Sequence, residues 1–177
     1  MKIILIGYRA AGKTTLGKLL SQRLGWPYLD VDRGIEKRSG KTITELFQEK
    51  GDTHYRDVES QIVQEMCNED ECVIAFGAGS LMREENQTTA WTDSLIVYLR
   101  APVEELWRRI EADPGSSDTR PNLSQGGIEE VIEMLGKREP VYKACADLIL
   151  DATLPPEQLA DEASAAYTSK LKRDSNP

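Results

Sequence analysis

A glycine-rich segment near the start of the chain has the sequence GYRAAGKT, residues 7–14. It matches the pattern GxxxxGK[ST], in which glycines let the backbone fold around a phosphate so that successive N–H groups face it. The apolar run 2–6 precedes the segment, and a helical pattern follows it, so a helix N-terminus would add positive potential. The segment predicts a nucleotide-binding loop in which Lys13 reaches the β- and γ-phosphates and the Thr14 hydroxyl ligates Mg²⁺. The loop alone does not distinguish ATP from GTP.

Short apolar runs alternate with helical patterns along the rest of the chain. Runs that are apolar without alternation are typical of parallel strands buried on both faces. The apolar runs are 2–6, 27–30, 72–76, 95–99 and 148–150, and the helical patterns are 14–24, 57–66, 103–110, 128–142 and 156–171. This alternation predicts an α/β fold with a mostly parallel sheet, in a single domain over residues 1–177.

Composition narrows the class of protein. The chain has 177 residues with 22 Lys and Arg against 30 Asp and Glu, a net charge of −8, which disfavours nucleic acid and anionic membranes as partners. Three cysteines without a CxxC pair, and no apolar run near the ~18–20 residues of a membrane-spanning helix, predict a cytoplasmic protein with reduced thiols. A single histidine, His54, argues against a histidine-based triad.

Two aspartates, Asp30 and Asp32, follow the second apolar run. Ligands of open α/β sheets sit at the carboxyl ends of strands. One carboxylate could therefore hold Mg²⁺ through water, and the other could orient an acceptor hydroxyl or take its proton. The alternative is that Asp32 is the N-cap of the next helix.

Two polar segments are expected to be irregular. Residues 111–127 have little apolar content and several Pro, Gly and Asp residues. Loops beyond ~12–15 residues in a compact domain are often lids or binding loops, and we interpret this one as a lid, with a tolerated surface insertion as the alternative. The tail 170–177 is polar and is expected to be frayed.

Four further elements complete an ordered pattern. Residues 51–59 carry an FRxxE-like element with Tyr55 in the aromatic place, and Gly77-Ala78-Gly79 follow the third apolar run. Thr119-Arg120-Pro121 lie in the long loop, and KREPVY, residues 137–142, precedes the last run. Together with the phosphate loop and the aspartate pair, in this order, the set resembles that of the shikimate kinases. The matching elements run from Ile3 to about Pro156.

The resemblance implies a three-layer α/β/α P-loop kinase fold, with a five-stranded parallel sheet in order 2-3-1-4-5, helices on both faces and a lid loop. It implies ATP-dependent phosphorylation of the shikimate 3-hydroxyl to shikimate 3-phosphate, on the route to chorismate and the aromatic amino acids. ATP would be the co-substrate, Mg²⁺ the cofactor, and shikimate the small-molecule partner of a monomeric enzyme. The shikimate-binding region would be about 32–62.

The resemblance also implies the site residues. Those for the nucleotide would be Gly7, Ala10, Ala11, Gly12, Lys13, Thr14, Thr15, Arg109, Arg120 and Pro155. Those for the acceptor would be Asp32, Arg56, Glu59, Gly77, Ala78, Gly79 and Arg138. Thr14 and Asp30 would serve Mg²⁺, Asp30 through water.

Within this set, the resemblance implies distinct roles. Lys13, Asp32 and Arg120 would be catalytic, with Asp32 binding the acceptor hydroxyls, either as a base or only as an orienting group, and Arg120 closing on the transferred phosphoryl group. Arg56 and Arg138 would clamp the shikimate carboxylate, since a guanidinium can bind a carboxylate bidentately, and Glu59 would orient Arg56.

The sequence departs from the family pattern at Ala78, and other interpretations of the arginines and of the function stay open. Ala78 stands where the family has glycine, which costs ~1–2 kcal/mol if the position needs a positive φ, or places a methyl group against the substrate if it needs close approach. Apart from the resemblance, Arg56 with Glu59 would be an ordinary surface pair and Arg138 part of a solvated helix end. Rival functions are a gluconate-type or nucleoside monophosphate kinase, and a non-catalytic nucleotide-binding regulatory module.

Overall fold

A computed structural model describes residues 1–113 and 127–174 of the chain. Its sheet has five parallel strands, β1 (Lys2–Ile6), β2 (Tyr28–Asp30), β3 (Val73–Ala75), β4 (Ser94–Arg100) and β5 (Leu148–Asp151). The strand order is β2-β3-β1-β4-β5, which confirms the expected order 2-3-1-4-5. All of β1 is buried, as is β4 up to Leu99, so both faces of the sheet are covered.

Central β1 positions the phosphate loop. Ile3 pairs with Val73 of β3 on one side and with Leu95 of β4 on the other. The chain leaves the carboxyl end of this strand directly into residues 7–12. The loop therefore lies at the carboxyl end of the central strand, and the carboxyl ends of the strands are where ligands of open α/β sheets bind.

Helices surround this sheet. Within the described residues they are α1 (Lys13–Leu24), α2 (Val31–Ser39), α3 (Ile43–Cys67), α4 (Glu84–Trp91), α5 (Val103–Ala112), α6 (Gly127–Cys145) and α7 (Pro156–Asp174), and a short 3-10 helix covers Ser80–Met82. The predicted strands and helices are all present with slightly shifted ends. Helices α2 and α4 and the first half of α3 are additional to the prediction.

Helix α2 corrects the capping hypothesis. Its N-cap is Asp30, whose Oδ1 accepts a hydrogen bond from the Arg33 N–H at 3.3 Å. Asp32 lies inside the first turn of the helix, so the assignment of Asp32 as the cap was wrong. Because β2 ends at Asp30 and α2 starts at Val31, the helix begins two residues earlier than the aspartate pair suggested.

Helix α3 changes direction at Gly51, which has φ 79° and ψ 173°. Glycine adopts this left-handed φ without the steric cost that a Cβ imposes. A reciprocal capping box between Thr42 and Glu45 starts the first half of the helix. The kink aims the second half, which carries Arg56 and Glu59, toward the end of the sheet where the phosphate loop lies.

The two segments expected to be irregular differ from the prediction at their ends. Helix α5 includes residues 111 and 112, and α6 begins at Gly127, so both limits of the predicted lid are helical. Residues 114–126, with Arg120, lie outside the described residues. Helix α7 continues to Asp174, so residues 170–174 of the tail that we expect to be frayed are assigned to the helix.

The three cysteines are free and buried, and burial raises the pKa of Cys67 to about 12 and that of Cys72 to about 11. Across residues 1–113 and 127–174, no helix is long and apolar enough to cross a membrane.

Candidate active site

The phosphate loop is shaped by two glycines with positive φ. Gly7 has φ 143°, and a Cβ there would lie 2.7 Å from the Leu99 carbonyl oxygen, so a side chain would collide with β4. Gly12, with φ 96°, is the N-cap of α1. Lys13 is buried, and its Nζ donates to the carbonyls of Gly7 and Tyr8 at 2.8 Å each. The loop thus forms a backbone cradle crossed by one ammonium group.

A cavity of about 690 Å³ opens in front of the loop. Residues 9–16 line it together with both aspartates of the pair, Arg109 and the segment that leads into α7. The predicted nucleotide residues Ala10, Ala11, Gly12, Lys13, Thr14, Thr15 and Arg109 are all in this lining. Pro155 is exposed and does not line the cavity, whereas its neighbours Leu154 and Pro156 do.

Arg109 braces this nucleotide-facing side. Its Nε donates to Glu105 at 2.6 Å, its Nη1 to the Ala10 carbonyl at 3.3 Å, and its Nη2 to the Ala152 carbonyl at 2.7 Å. One side chain on α5 therefore joins the phosphate loop to the segment between β5 and α7. A guanidinium in this position both fixes the loop and adds positive charge beside it.

Asp30 and Thr14 lie at the mouth of the cavity. Asp30 Oδ1 accepts from Arg33 N–H, and Oδ2 accepts from the Tyr28 hydroxyl at 2.9 Å. Each carboxylate oxygen keeps a second lone pair, so Asp30 can still accept a bond from a metal-bound water. A hydroxyl and a carboxylate suit Mg²⁺, which prefers oxygen ligands, keeps several waters and takes other ligands from substrate phosphates. The donor set fits the predicted cation.

The glycine turn, residues 77–79, lies between Asp32, which lines the cavity, and Arg56 with Glu59 on α3. A Cβ at Gly77 would lie 2.8 Å from Asp32 Oδ1 and 3.1 Å from Glu59 Oε1. A Cβ at Gly79 would lie 2.6 Å from Arg56 Nη1. The glycines are therefore needed for close approach of charged side chains to the backbone.

Ala78 lies in this turn without a positive φ. The non-glycine residues with positive φ in the described part of the chain are Ala10, Glu71 and Asp93, so Ala78 is in a conformation open to any L-residue. Its side chain is buried, and its carbonyl accepts a hydrogen bond from the Tyr142 hydroxyl. The free-energy cost of a positive φ therefore does not arise for Ala78.

Glu59 is a buried carboxylate at the centre of a small network. It is 1% exposed; Oε2 accepts from Arg56 Nη1 at 2.6 Å, and Oε1 accepts from Ser80 Oγ at 2.8 Å and from the Tyr55 hydroxyl at 3.4 Å. Burial opposes the charge on Arg56, but Glu59 outweighs it and raises the Arg56 pKa above the ordinary value. The interpretation as a surface pair is thereby excluded, and Arg56 is held as a permanent, oriented cation.

Arg138 is buried as well, at 7% exposure, although its neighbours Lys137 and Glu139 suggested a solvated helix end. Its guanidinium lies 5.8 Å from the centre of the Tyr8 ring, and its hydrogen bond with Tyr142 helps to lower the pKa of that phenol, which burial raises. Both Arg56 and Arg138 are close enough to the Tyr55 phenol to affect its pKa. Arg56 lies against Gly79, and Arg138 is hydrogen-bonded to Tyr142, whose hydroxyl donates to the neighbouring Ala78 carbonyl, so both predicted clamp arginines are connected to the glycine turn.

Three residues of the site were missed by sequence reasoning. Ser80 supports Glu59, Tyr142 ties α6 to the glycine turn, and Tyr28 bonds to Asp30. Ser80 directly follows the glycine turn and Tyr142 ends the KREPVY element, but neither position indicated a role, and Tyr28 belongs to no motif. Arg120, the predicted lid arginine, lies outside the described residues.

Comparisons with known proteins agree with this arrangement. The family model "Shikimate kinase" matches residues 9–168. The shikimate kinase of Rhodopirellula baltica is 38% identical over 152 residues, covering 85% of this chain and 81% of that protein. The shikimate kinase of Thermodesulfovibrio yellowstonii is 36% identical over 167 residues, covering 93% and 94%.

Solved structures give the same result. Shikimate kinase from Acinetobacter baumannii in complex with shikimate superposes with a TM-score of 0.88 at 28% identity, covering 96% of this chain and 93% of that one. A gluconokinase from Sinorhizobium meliloti reaches a TM-score of 0.66 at 16% identity, covering 97% and 94%, a likeness of fold alone. With the family model over most of its length and relatives above one-third identity, the chain belongs to the shikimate kinase family.

Proposed function

We propose that this protein transfers the γ-phosphoryl group of ATP to the 3-hydroxyl of shikimate. One observation carries the proposal: a continuous series of contacts joins a phosphate-binding loop to two arginines, of which Arg138 is buried and Arg56 is partly buried. Asp32 lines the cavity of the loop and also lies against Gly77, and Arg56 lies against Gly79 of the same turn. A nucleotide phosphate and a carboxylated acceptor can thus be held side by side.

The nucleotide side neutralises phosphate charge. The loop N–H groups, the α1 N-terminus and Lys13 bind the β- and γ-phosphates, and Arg109 adds positive charge beside them. Thr14 and Asp30 would hold Mg²⁺, which would supply positive charge to offset the negative charge that develops on the phosphate oxygens. Phosphoryl transfer asks mainly for such positioning and neutralisation, and these groups supply both.

The acceptor side orients a small carboxylated polyol. Arg56 and Arg138 bind the carboxylate, because a guanidinium offers parallel N–H donors to its two oxygens. Asp32 accepts hydrogen bonds from the hydroxyls and takes the proton of the 3-hydroxyl as its oxygen bonds to phosphorus and the bond to ADP breaks. Arg120 is proposed to close over the transferred group, with residues 111–127 as a lid.

We further propose that the enzyme acts as a cytoplasmic monomer without nucleic-acid or membrane partners. The support is the net charge of −8, the free buried cysteines and the small-molecule character of the site. Size-exclusion chromatography with light scattering checks the monomer, for which a mass near 19.8 kDa is expected and a doubled mass contradicts it.

The experiment that tests the function is ADP release from MgATP with shikimate, gluconate, AMP or no acceptor. We expect rapid release with shikimate alone among these acceptors. Turnover with gluconate or AMP and none with shikimate would assign the chain to one of the rival kinases. Binding of ATP without any acceptor-dependent release would favour the non-catalytic module.

A further inference from the structure

Tyr28, on β2, occupies an unexpected place at the predicted cation site. Its hydroxyl donates to Asp30 Oδ2 at 2.9 Å, while Asp30 Oδ1 accepts from the Arg33 N–H. Both oxygens of the carboxylate are therefore oriented, one by the backbone of α2 and one by a phenol. The Arg33 N–H is a backbone group and is present whatever the side chain, whereas the Tyr28 hydroxyl can be removed by substitution.

The same phenol also reaches α1. Burial raises the pKa of the Tyr28 phenol, and a hydrogen-bond contribution from the Thr14 side chain offsets part of that rise; Thr14 also lines the same cavity as Asp30. One turn further along α1, a Cβ at Gly17 would lie 2.4 Å from Tyr28 Cε2 and 2.9 Å from Cδ2. The ring therefore packs directly against α1 at Gly17, where no side chain would fit, and its hydroxyl is bonded to Asp30.

Hydrogen-bond direction follows from simple donor counting. A hydroxyl oxygen that coordinates a cation offers it a lone pair, so the Thr14 proton must point to another acceptor. The Tyr28 oxygen can accept that proton while its own proton goes to Asp30, an acceptor-only carboxylate. Since the Asp30 carboxylate can only accept, the 2.9 Å bond between it and Tyr28 uses the phenol proton and leaves the phenol oxygen free to accept from Thr14.

We propose that Tyr28 is a positioning residue for the divalent cation of the bound nucleotide. Its hydroxyl spaces Thr14 and Asp30 and turns the Thr14 lone pair toward the cation, and the inference rests on the proposed use of MgATP. Partners that orient metal ligands are worth roughly 10- to 100-fold in metal affinity. Phenylalanine would keep the packing on Gly17 and lose the link between the ligands.

The test measures Mn²⁺ binding to the protein–ADP complex by electron paramagnetic resonance of free Mn²⁺. We expect the Mn²⁺ Kd of Tyr28→Phe to rise roughly 10-fold, with the metal-free ADP Kd unchanged to within about twofold. Tyr167→Phe is the matched control, since its hydroxyl donates to the Met1 carbonyl at the other end of the sheet, and it should alter neither constant. A Tyr28→Phe Mn²⁺ Kd equal to wild type, or an equal loss of metal-free ADP affinity, would overturn the proposal.

A double-mutant cycle adds a second readout. In a Thr14→Ala background Tyr28→Phe should weaken Mn²⁺ much less than in wild type, because the bond it breaks has lost one partner. Fully additive effects would contradict the proposal. These assays contain no shikimate, so absence of shikimate-dependent turnover would defeat the proposed function while leaving the role of Tyr28 decided by the Mn²⁺ data.

Discussion

The phosphate loop and the acceptor clamp, by which we mean Arg56, Glu59, Arg138 and the turn 77–79, are built in different ways. The loop is eight consecutive residues whose backbone does the binding. The clamp is a set of side chains that come from α3, α6 and the segment after β3. Glu59 and Arg138 are buried, Glu59 accepts a hydrogen bond from Arg56, and Arg138 is joined to the turn through Tyr142.

This difference has energetic consequences. A backbone cradle keeps its N–H groups whatever a neighbouring side chain becomes, so the loop tolerates substitution where the φ angles permit it. Removing one member of a buried ion pair is strongly destabilising, because it leaves the charge of the other member buried without a partner. Substitutions in the clamp should therefore change acceptor affinity strongly, and nucleotide affinity little.

The largest effect is expected where the two regions meet, at Asp32. Asp32→Asn keeps the shape of the side chain and removes the proton acceptor, so kcat should fall roughly 100- to 10,000-fold. MgATP binding, measured by calorimetry, should stay near the wild-type value. Asp161→Asn, on α7 and paired with Arg23, is the control. Near-normal turnover in Asp32→Asn would show that Asp32 is not the base.

A smaller effect is expected within the clamp, at Arg138. Arg138→Ala removes a buried charged donor and should lower kcat/KM for shikimate roughly 10- to 100-fold. The KM for ATP should hardly change, because Arg138 approaches the loop at the Tyr8 ring, whereas the loop is proposed to bind phosphate through its backbone. Lys137→Ala, one residue earlier and exposed, should behave as wild type. If both variants lost the same activity, a general effect on α6 would replace the clamp as the explanation.

The glycine turn offers a matched pair of substitutions. Gly79→Ala would place a Cβ 2.6 Å from Arg56 Nη1, so we expect the KM for shikimate to rise by about 10-fold as Arg56 shifts. Gly136→Ala in α6 meets no atom within 4 Å and should stabilise the protein by about 0.5–1 kcal/mol. Urea unfolding and steady-state kinetics on both variants check this, and an unchanged KM in Gly79→Ala would contradict the close approach.

The smallest effects should differ in sign between the two regions. Ala10 in the loop has φ 60°, so Ala10→Gly relieves a cost of ~1–2 kcal/mol and should stabilise the protein by about 0.5–1 kcal/mol after the added chain entropy. Ala78 has no positive φ, so Ala78→Gly should destabilise it by about 0.4–1 kcal/mol. If the urea midpoints of both variants shifted in the same direction, the claim that Ala10 is strained by its positive φ and Ala78 is not would be wrong.

The same contrast explains what the sequence could predict. The loop, the strand order and the five main helices follow from local patterns and an ordered motif set, and the structure confirms them. Burial of Arg138 could not be predicted, because Lys137-Arg138-Glu139 has the composition of a solvated helix end. Its burial results from α6 packing over Tyr8 and the glycine turn, contacts between residues that are far apart in the chain.

The aspartate pair shows a second limit. Two acids two residues apart at a strand end are both plausible caps, and the choice depends on where β2 stops. The strand ends at Asp30 and the helix starts at once, which makes Asp30 the cap and leaves Asp32 facing Gly77. The role of Tyr28 was equally hidden, because a tyrosine in a strand usually indicates packing alone.

The central claim is that the clamp selects a carboxylated acceptor for the phosphate loop. It is tested most directly by comparing kcat/KM for shikimate with that for its methyl ester, measured as ADP release from MgATP. Loss of the carboxylate charge should lower kcat/KM by at least 10-fold, since charge-assisted hydrogen bonds to two arginines are lost. Equal values for acid and ester, or no ADP release with shikimate, would contradict the account.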